Sequence, residues 1–186
     1  MNSLINETTE RMKPRRILLF TGNGKGKSTA AFGMLARALG HGMKARVIQF
    51  VKSDDAVGEQ LFFSRINEVE WDHFGRGFLP RDRQSPKMEE HRAAARSGLD
   101  AAIAALASPD YDFVLLDELC FALGQHLISA EPLLEALRSA EDGKIVVMTG
   151  RDAPQELIAV ADTVTEMGMI KHGFEQGIPA QIGVEN

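Results

Sequence analysis

The stretch FTGNGKGKSTAA at residues 20–31 decides how the rest of the chain is interpreted. An apolar run at residues 17–20 predicts a buried strand, and the alanine-rich sequence after the loop predicts a helix. Between them, Gly22, Gly24 and Gly26 permit positive φ angles, which let the backbone amides close round an anion. The N-terminus of the following helix adds the positive end of its dipole. This order of elements predicts a phosphate-binding loop.

The loop matches the pattern G-x-x-x-x-G-K-[ST] except at its first position, where Thr21 replaces glycine. Gly26, Lys27 and Ser28 match the end of the pattern. There the lysine reaches the outer phosphates and the hydroxyl binds magnesium. The sequence therefore predicts nucleotide binding, and the alternative is a glycine-rich turn that carries a lysine by chance.

Composition and charge narrow the class of protein. The 186 residues, 44% of them apolar, suit a single domain with a substantial core. A net charge of −5 disfavours nucleic acid as a main partner. No apolar run is long enough to predict a membrane span, and the first residues lack the apolar core of a secretory signal. The single cysteine, Cys120, is consistent with a reducing cytoplasm, so we expect a cytoplasmic protein without a membrane partner.

Predicted strands and helices alternate along the chain. Strand–helix alternation indicates an α/β fold with a mainly parallel sheet and helices on both faces. The strands are predicted at residues 17–20, 45–52, 69–74, 112–118, 144–149 and 163–167. The helices are predicted near residue 58 and at residues 27–39, 86–107, 131–140 and 154–160. We also expect a terminal strand or hairpin within residues 170–186.

Two carboxylates, Asp117 and Glu118, follow a run of four apolar residues at the predicted end of a buried strand. Ligands of α/β sheets gather at the carboxyl ends of the strands, and a carboxylate placed there in a P-loop protein usually serves magnesium. The alternative is that either residue caps the helix that starts at Leu119. The sequence leaves open which carboxylate would contact the ion.

A long loop, GRGFLPRDRQSP at residues 75–86, separates a predicted strand from a predicted helix. Loops of this length inside a compact domain are often functional. Phe78 and Leu79 are apolar in polar surroundings, and from composition alone we expect them to tuck beneath the loop. The histidines show no metal-ligand spacing, so no transition-metal site is predicted.

Several segments together resemble the P-loop ATP:corrinoid adenosyltransferases of cobalamin biosynthesis and salvage, and this resemblance covers nearly the whole chain from Arg16 onward. The segments are TGNGKGKSTAAFG at 21–33, ARALGHG at 36–42, VIQFVK at 47–52, LLDEL at 115–119, VVMTGR at 146–151, ADTVTEM at 161–167 and KHGFEQGIPAQIG at 171–183.

The resemblance implies a RecA-like P-loop fold and an unusual use of the loop. ATP would bind in reversed orientation, so that the Co(I) centre of cob(I)alamin or another corrinoid attacks the ribose 5′-carbon and intact triphosphate leaves. Magnesium is the implied cofactor, and a reductase or flavodoxin-like protein is the implied electron donor. A homodimer is also implied.

The resemblance also implies roles for individual residues. Lys27 and Glu118 would be catalytic, with magnesium held through Ser28 and Glu118. The implied ATP-binding residues are Thr21, Gly22, Asn23, Gly24, Lys25, Gly26, Lys27, Ser28, Thr29 and Arg37. Arg37 has the alternative role of a surface ion-pair partner.

Two further implied features lie outside the nucleotide loop. Phe78 would face the corrinoid and help to displace its lower axial ligand, although Pro80 occupies the position of the family's second aromatic residue. Residues 1–14 would form a lid over the site, and residues 15–186 the catalytic domain. A floppy terminus is the default alternative for the lid.

Two other activities fit parts of the same sequence. LLDEL at residues 115–119 also resembles the metal-binding strand of RecA-like ATPases, so a motor or switch module is one alternative. A small-molecule kinase is the other, with the arginines at positions 76, 81 and 83 as the only cluster available to clamp a phosphate.

Overall fold

Six parallel strands form the centre of the protein in the computed structural model, which describes residues 14–51 and 58–184. The proposed lid, residues 1–14, therefore falls outside the described residues except for Pro14. The strands are β1 (Arg16–Thr21), β2 (Ala45–Gln49), β3 (Val69–His73), β4 (Phe113–Asp117), β5 (Ile145–Thr149) and β6 (Thr163–Glu166). They are hydrogen-bonded in the order β3-β2-β4-β5-β1-β6, and every pair is parallel. The predicted α/β class and parallel sheet are confirmed.

Helices cover both faces of the sheet, as predicted. They are α1 (Lys27–Leu39), α2 (Gly58–Phe63), α3 (Pro86–Ala107), α4 (Leu119–Gly124), α5 (Glu131–Ser139) and α6 (Gln155–Val160). In β4, Phe113 and Leu115 pack with the α1 side of the core, whereas Val114 and Leu116 pack with the side formed by α3, α5 and α6. Alternate residues of the strand are thus buried on opposite faces, which explains its continuous apolar run. Within the described residues, no helix has the length and apolar character needed to cross a bilayer.

Two of the predicted elements were wrong in detail. The strand predicted at residues 45–52 ends at Gln49, because Phe50 is buried against Gly98 of α3 and so continues the apolar run beyond the strand. The described part of residues 170–186 contains no strand or hairpin. It holds a 3-10 helix, Gly173–Gln176, whose first turn is capped by the His172 ring accepting a hydrogen bond from the Phe174 amide. Gly177, with φ of 71°, ends this turn.

The sheet topology brings four segments together at one edge. Since all strands run in the same direction, their carboxyl ends share this edge. The glycine-rich loop follows β1, Asp117 and Glu118 end β4 or follow it, a turn at residues 150–153 follows β5, and the segment beyond β6 starts at Met167. The fold therefore assembles its candidate site from parts that are far apart in sequence.

Two helical glycines give a test of the packing. A Cβ at Gly33 of α1 would have no neighbour within 4 Å, whereas a Cβ at Gly98 of α3 would lie 3.0 Å from the Phe50 ring and 3.1 Å from that of Phe74. Gly33→Ala should raise the free energy of unfolding by about 0.5–1 kcal/mol, because alanine loses less backbone entropy in a helix. Gly98→Ala should raise the free energy of unfolding by less than this amount, or lower it, as measured by urea unfolding. Equal gains for both variants would contradict the close packing of α3 on the ends of β2 and β3.

Candidate functional site

The glycine-rich loop has the conformation that the sequence predicts. Gly22 and Gly26 have φ of 93° and 113°, which side-chain-bearing residues rarely adopt. A Cβ at Gly24 would lie 2.6 Å from the Gly168 carbonyl oxygen, and the Gly24 amide donates to the Met167 carbonyl at 2.7 Å. The loop is thus held directly against the backbone that follows β6, and glycine is required for this approach.

Lys27, the first residue of α1, lies inside the loop and is only 7% exposed. Its ammonium donates to the carbonyl oxygens of Gly22 and Gly24, each at 2.7 Å. An ammonium has three N–H donors, so this geometry leaves capacity for a phosphate oxygen. Burial lowers the pKa of Lys27, and the positive charge of Arg151 acts in the same direction, whereas the charge of Glu118 raises it. The chance-lysine alternative is inconsistent with a lysine that is integral to the loop.

A cavity of about 870 Å³ opens over the loop. This volume falls within the range of small-molecule and cofactor sites. Seven of the predicted site residues line it: Gly24, Lys25, Gly26, Lys27, Ser28, Thr29 and Glu118. The remaining wall comes from Gly58, Glu59, Phe62, Phe63, Arg151, His172, Gly183 and Val184.

Asp117 is fully buried behind this cavity and connects three neighbouring strands. One of its carboxylate oxygens accepts from Gln49 Nε2 at 2.8 Å and the other from the Thr149 hydroxyl at 2.7 Å. The same hydroxyl accepts from the Glu118 amide at 2.9 Å. Because a buried carboxylate requires hydrogen-bond donors, this network holds the ends of β2, β4 and β5 together.

Of the two adjacent carboxylates, Glu118 lines the cavity, whereas Asp117 is buried and does not line it. The backbone of Glu118 has φ of 58° and ψ of 24°, a left-handed conformation that costs free energy in a residue other than glycine or asparagine. Glu118 occupies the N-cap position of α4, but its side chain makes no capping hydrogen bond. The geometry therefore supports a ligand-facing role over the capping alternative.

The oxygen-bearing side chains at this site suit magnesium better than a transition metal. In the part of the chain that the structure describes, no cluster of three or more His, Cys, Asp or Glu side chains could hold a metal ion. Magnesium does not need such a cage, since it retains several waters and is commonly bound through one or two protein oxygens plus substrate phosphates. Ser28 and Glu118 line the same cavity, and their side chains carry the kind of oxygen ligand that this requires.

The other predicted site residues lie around the cavity without lining it. Gly22 is buried against Met167, and Asn23 is exposed on the loop. Arg37 is exposed in the last turn of α1, roughly 15 Å along the helix from Lys27 at 1.5 Å per residue. Thr21 is buried, and its hydroxyl accepts a hydrogen bond from the Ala153 amide at 3.3 Å. The structure thus associates Thr21 with the turn after β5.

Phe78 and Leu79 behave differently from each other. Leu79 is half-buried and packs against the core, as expected for an apolar residue beneath a loop. The same expectation was wrong for Phe78, whose side chain is fully exposed. Gly77, with φ of 76°, turns the chain immediately before it, and Arg83 secures the loop by donating to the Gln125 side chain at 2.7 Å. The loop therefore presents one aromatic ring to solvent at the β3 edge.

The sequence analysis assigned no role in the site to Gln49, Thr149 or Arg151. Gln49 stands out as a polar residue in an apolar strand, and Thr149 ends β5 as Asp117 ends β4, so pattern alone could have drawn attention to both. Arg151 follows Gly150 in the turn after β5 and ends the segment VVMTGR, which carries part of the family resemblance, but no role was predicted for it. Its relevance comes from its place in the cavity wall beside the glycine-rich loop.

Comparisons with known proteins agree on the family and the fold. The family model described as ATP:corrinoid adenosyltransferase BtuR/CobO/CobP matches residues 13–186. A corrinoid adenosyltransferase of Pseudomonas aeruginosa is 45% identical over 172 residues, covering 91% of this chain and 82% of the relative. One from Escherichia coli K12 is 39% identical over 169 residues, covering 91% and 84%. Among solved structures, the flagellar accessory protein FlaH from Methanocaldococcus jannaschii matches with a TM-score of 0.50 at 10% identity, over 81% of this chain and 69% of that one. At that identity, the structural likeness concerns the fold alone.

Gly24→Ala tests the loop geometry. The added Cβ would lie 2.6 Å from the Gly168 oxygen and 2.7 Å from the Met167 oxygen, both backbone atoms that cannot move without disturbing the end of β6. We expect the dissociation constant for ATP, measured by calorimetry, to rise at least tenfold, a change of about 1.4 kcal/mol. Gly33→Ala, in the same helix–loop unit but in open space, is the matched control and should bind ATP as the wild type does. Unchanged affinity in Gly24→Ala would contradict the described contact.

Proposed function

The chain belongs to the ATP:corrinoid adenosyltransferase family and is a transferase that adenosylates corrinoids, and from this premise we propose how its residues carry out the reaction. The observation that carries the proposal is the cavity in which Lys27, Ser28 and Glu118 converge over the glycine-rich loop. The family membership decides among the activities that the sequence left open, because the motor and the kinase would both transfer a phosphoryl group.

The proposed reaction is a displacement at carbon. The electron pair of Co(I) attacks the 5′-carbon of ATP, a cobalt–carbon bond forms, and the bond between that carbon and the 5′-oxygen breaks. The electron pair of the broken bond leaves on the triphosphate, while the cobalt is formally oxidised to Co(III). Since Co(I) carries no proton, the protein needs no general base. Its task is to position the 5′-carbon and to stabilise the negative charge that develops on the leaving group.

The glycine-rich loop and Lys27 would supply that stabilisation. The loop begins α1, so its amides combine with the positive end of the helix dipole. Lys27 is already fixed by two hydrogen bonds to the loop, so little side-chain entropy would be lost when it contacts a phosphate. Donors that are arranged in advance stabilise developing charge more than flexible ones do.

Magnesium, held through Ser28 and Glu118, would add positive charge to the triphosphate as it leaves. Ser28 is the second residue of α1. The backbone of Glu118 is held by the hydrogen bond that its amide donates to the Thr149 hydroxyl, so both residues are held by ordered backbone.

The order of the strands supports the reversed placement of ATP. Phe78 follows β3, and the phosphate loop follows β1, four strands away, which corresponds to roughly 19 Å at 4.8 Å per strand. In the strand order, β2 and β4 lie between β3 and β1, so α2, which follows β2, and Glu118, which follows β4, lie between Phe78 and the phosphate loop. Glu118 lines the cavity, as do Glu59 and Phe62 of α2. An adenosyl group extending from the loop past Glu118 towards α2 would therefore point its reactive carbon to the side on which Phe78 is exposed.

The proposal includes three further features, of which the homodimer and the electron donor come from the family resemblance and the cytoplasmic location from the single cysteine. The enzyme would work as a homodimer, it would receive electrons from a reductase or flavodoxin-like protein, and it would act in the cytoplasm. A single cysteine cannot form an internal disulfide, which is consistent with a reducing compartment. Cys120 itself is buried in the core, and that burial raises the pKa of its thiol to about 12. Such a thiol is inert under ordinary conditions.

The products test the proposed reaction. The wild type, incubated with ATP, magnesium and chemically reduced cobalamin, should yield a light-sensitive cobalt–carbon bond and one equivalent of inorganic triphosphate, detected by phosphorus NMR. Lys27→Ala should lower the rate at least a hundredfold, in the range seen when a charge-stabilising group is removed. Release of ADP and phosphate instead of triphosphate would contradict the proposal and favour an ATPase.

Phe78→Ala tests the role of the exposed ring. If Phe78 displaces the lower axial ligand, then the variant should react more slowly than the wild type in an assay that starts from Co(II) and a reductant. In an assay that starts from Co(I), the rate of the variant should fall much less. Leu61→Ala, on α2, is the matched control, because it also removes an exposed apolar side chain and Leu61 does not line the cavity. An equal loss from both cobalt states would argue against ligand displacement.

A further inference from the structure

Thr21 is the position at which the loop departs from the usual phosphate-loop pattern, and its contact with the turn after β5 gives that departure a physical reason. The Thr21 hydroxyl accepts from the Ala153 amide across 132 residues of sequence. A glycine at this position would have no side chain with which to make the bond. Thr21, the last residue of β1, therefore joins the start of the loop to the turn at residues 150–153.

The turn is held at both ends. The Gly150 amide donates to the Phe20 carbonyl at 3.2 Å, one residue before Thr21. Gly150 has φ of 144°, and a Cβ there would lie 2.6 Å from Cys120 Cβ and 2.9 Å from the Cys120 amide nitrogen. Asp152 has φ of 53°, a strained conformation for a residue with a side chain. The chain between the two anchors is thus sharply bent, and Arg151 lies at the bend.

Arg151 is placed to meet an anion over the loop. Its side chain is exposed and lines the same cavity as Lys25, Lys27 and Ser28. It also lines a neighbouring cavity of about 600 Å³, so it stands on the partition between the two. Arginine makes paired hydrogen bonds to phosphate oxygens, which lysine does not. Arg151 and Lys27 line the same cavity, and the charge of Arg151 disfavours the charged form of Lys27, so an anion bound there would be attracted to both cations.

We propose that Arg151 binds the triphosphate of ATP and of the leaving group, and that Thr21 is a positioning residue that holds the Arg151 turn beside the phosphate loop. This inference deepens the proposed function and rests on it for the identity of the anion. Thr21 acts through Arg151 and contributes its hydroxyl to the turn, not to the nucleotide. Arg151 supplies a second cation in the wall of the cavity that Lys27 lines, where it would stabilise the charge that the leaving group gains.

Binding of inorganic tripolyphosphate with magnesium, measured by calorimetry, tests both roles without requiring adenosyl transfer. Arg151→Gln should raise its dissociation constant about tenfold, as expected for the loss of a charge-assisted hydrogen bond. Arg138→Gln is the matched control, because it removes the same charge from an exposed site on α5 and should bind as the wild type does. Equal affinity in these two variants would overturn the role of Arg151.

The positioning role predicts a specific dependence between the two residues. Thr21→Val should weaken tripolyphosphate binding about three- to tenfold, whereas Thr21→Ser, which keeps the hydroxyl, should remain within about twofold of the wild type. The double variant Thr21→Val with Arg151→Gln should bind no more weakly than Arg151→Gln alone, because the placement of an absent arginine has no effect. Thr163→Val, the same substitution on the exposed strand β6, should have no effect.

Three results would overturn the positioning role: additive losses in the double variant, a loss in Thr21→Ser as large as that in Thr21→Val, or an unaltered affinity in Thr21→Val. If Thr21→Val does not fold, the comparison of Thr21→Ser with Arg151→Gln still separates the roles, because serine should preserve binding and glutamine should not. Failure of the proposed function is distinguishable, since the wild type would then bind tripolyphosphate with this pattern yet form no cobalt–carbon bond.

Discussion

The site depends on a backbone contact that only glycine allows. The chain that follows β6 passes so close to the phosphate loop that a Cβ at Gly22 or at Gly24 would lie 2.6 Å from a carbonyl oxygen of Met167 or Gly168, respectively. The hydrogen bond from the Gly24 amide to Met167 holds the loop against this chain, and Lys27 is held by the loop carbonyls before any substrate binds. Fixed dipoles need little reorganisation when charge develops, and this is the property that a polyphosphate leaving group requires.

A second constraint aligns the rest of the site with the loop. Asp117 is a buried charge satisfied by Gln49 and Thr149, and the bond from the Glu118 amide to Thr149 fixes Glu118 at the cavity. Breaking such a network by removing one partner typically costs about 1–3 kcal/mol, because a buried polar group is left without a hydrogen-bond partner. The two adjacent carboxylates thus have different tasks: Asp117 joins the strands, and Glu118 faces the substrate. The contact between Thr21 and Ala153 extends the same principle to the turn that carries Arg151.

Features carried by local pattern could be predicted from the sequence, and features created by distant contacts could not. The loop, α1 and the buried strands have local signatures in glycine spacing and in continuous apolar runs, and the structure places them at the predicted residues or within a few of them. The division of labour between Asp117 and Glu118 arises from Gln49 and Thr149, which lie 68 and 32 residues from Asp117. Neither this division nor the tie of Thr21 to the turn after β5 leaves a signal within one segment. The end of the chain was mispredicted because its exposed apolar residues resemble a strand, whereas the His172 cap and Gly177 give a 3-10 turn.

The position of bond cleavage tests the central claim that the loop binds the triphosphate as a leaving group. ATP labelled with oxygen-18 at the oxygen that bridges the 5′-carbon and the α-phosphorus would be converted with reduced cobalamin, and the products examined by mass spectrometry. Cleavage at carbon predicts that the label is recovered in inorganic triphosphate and that none remains with the nucleoside. Label retained on an adenine nucleotide, with a terminal phosphate released, would show cleavage at phosphorus and contradict the account.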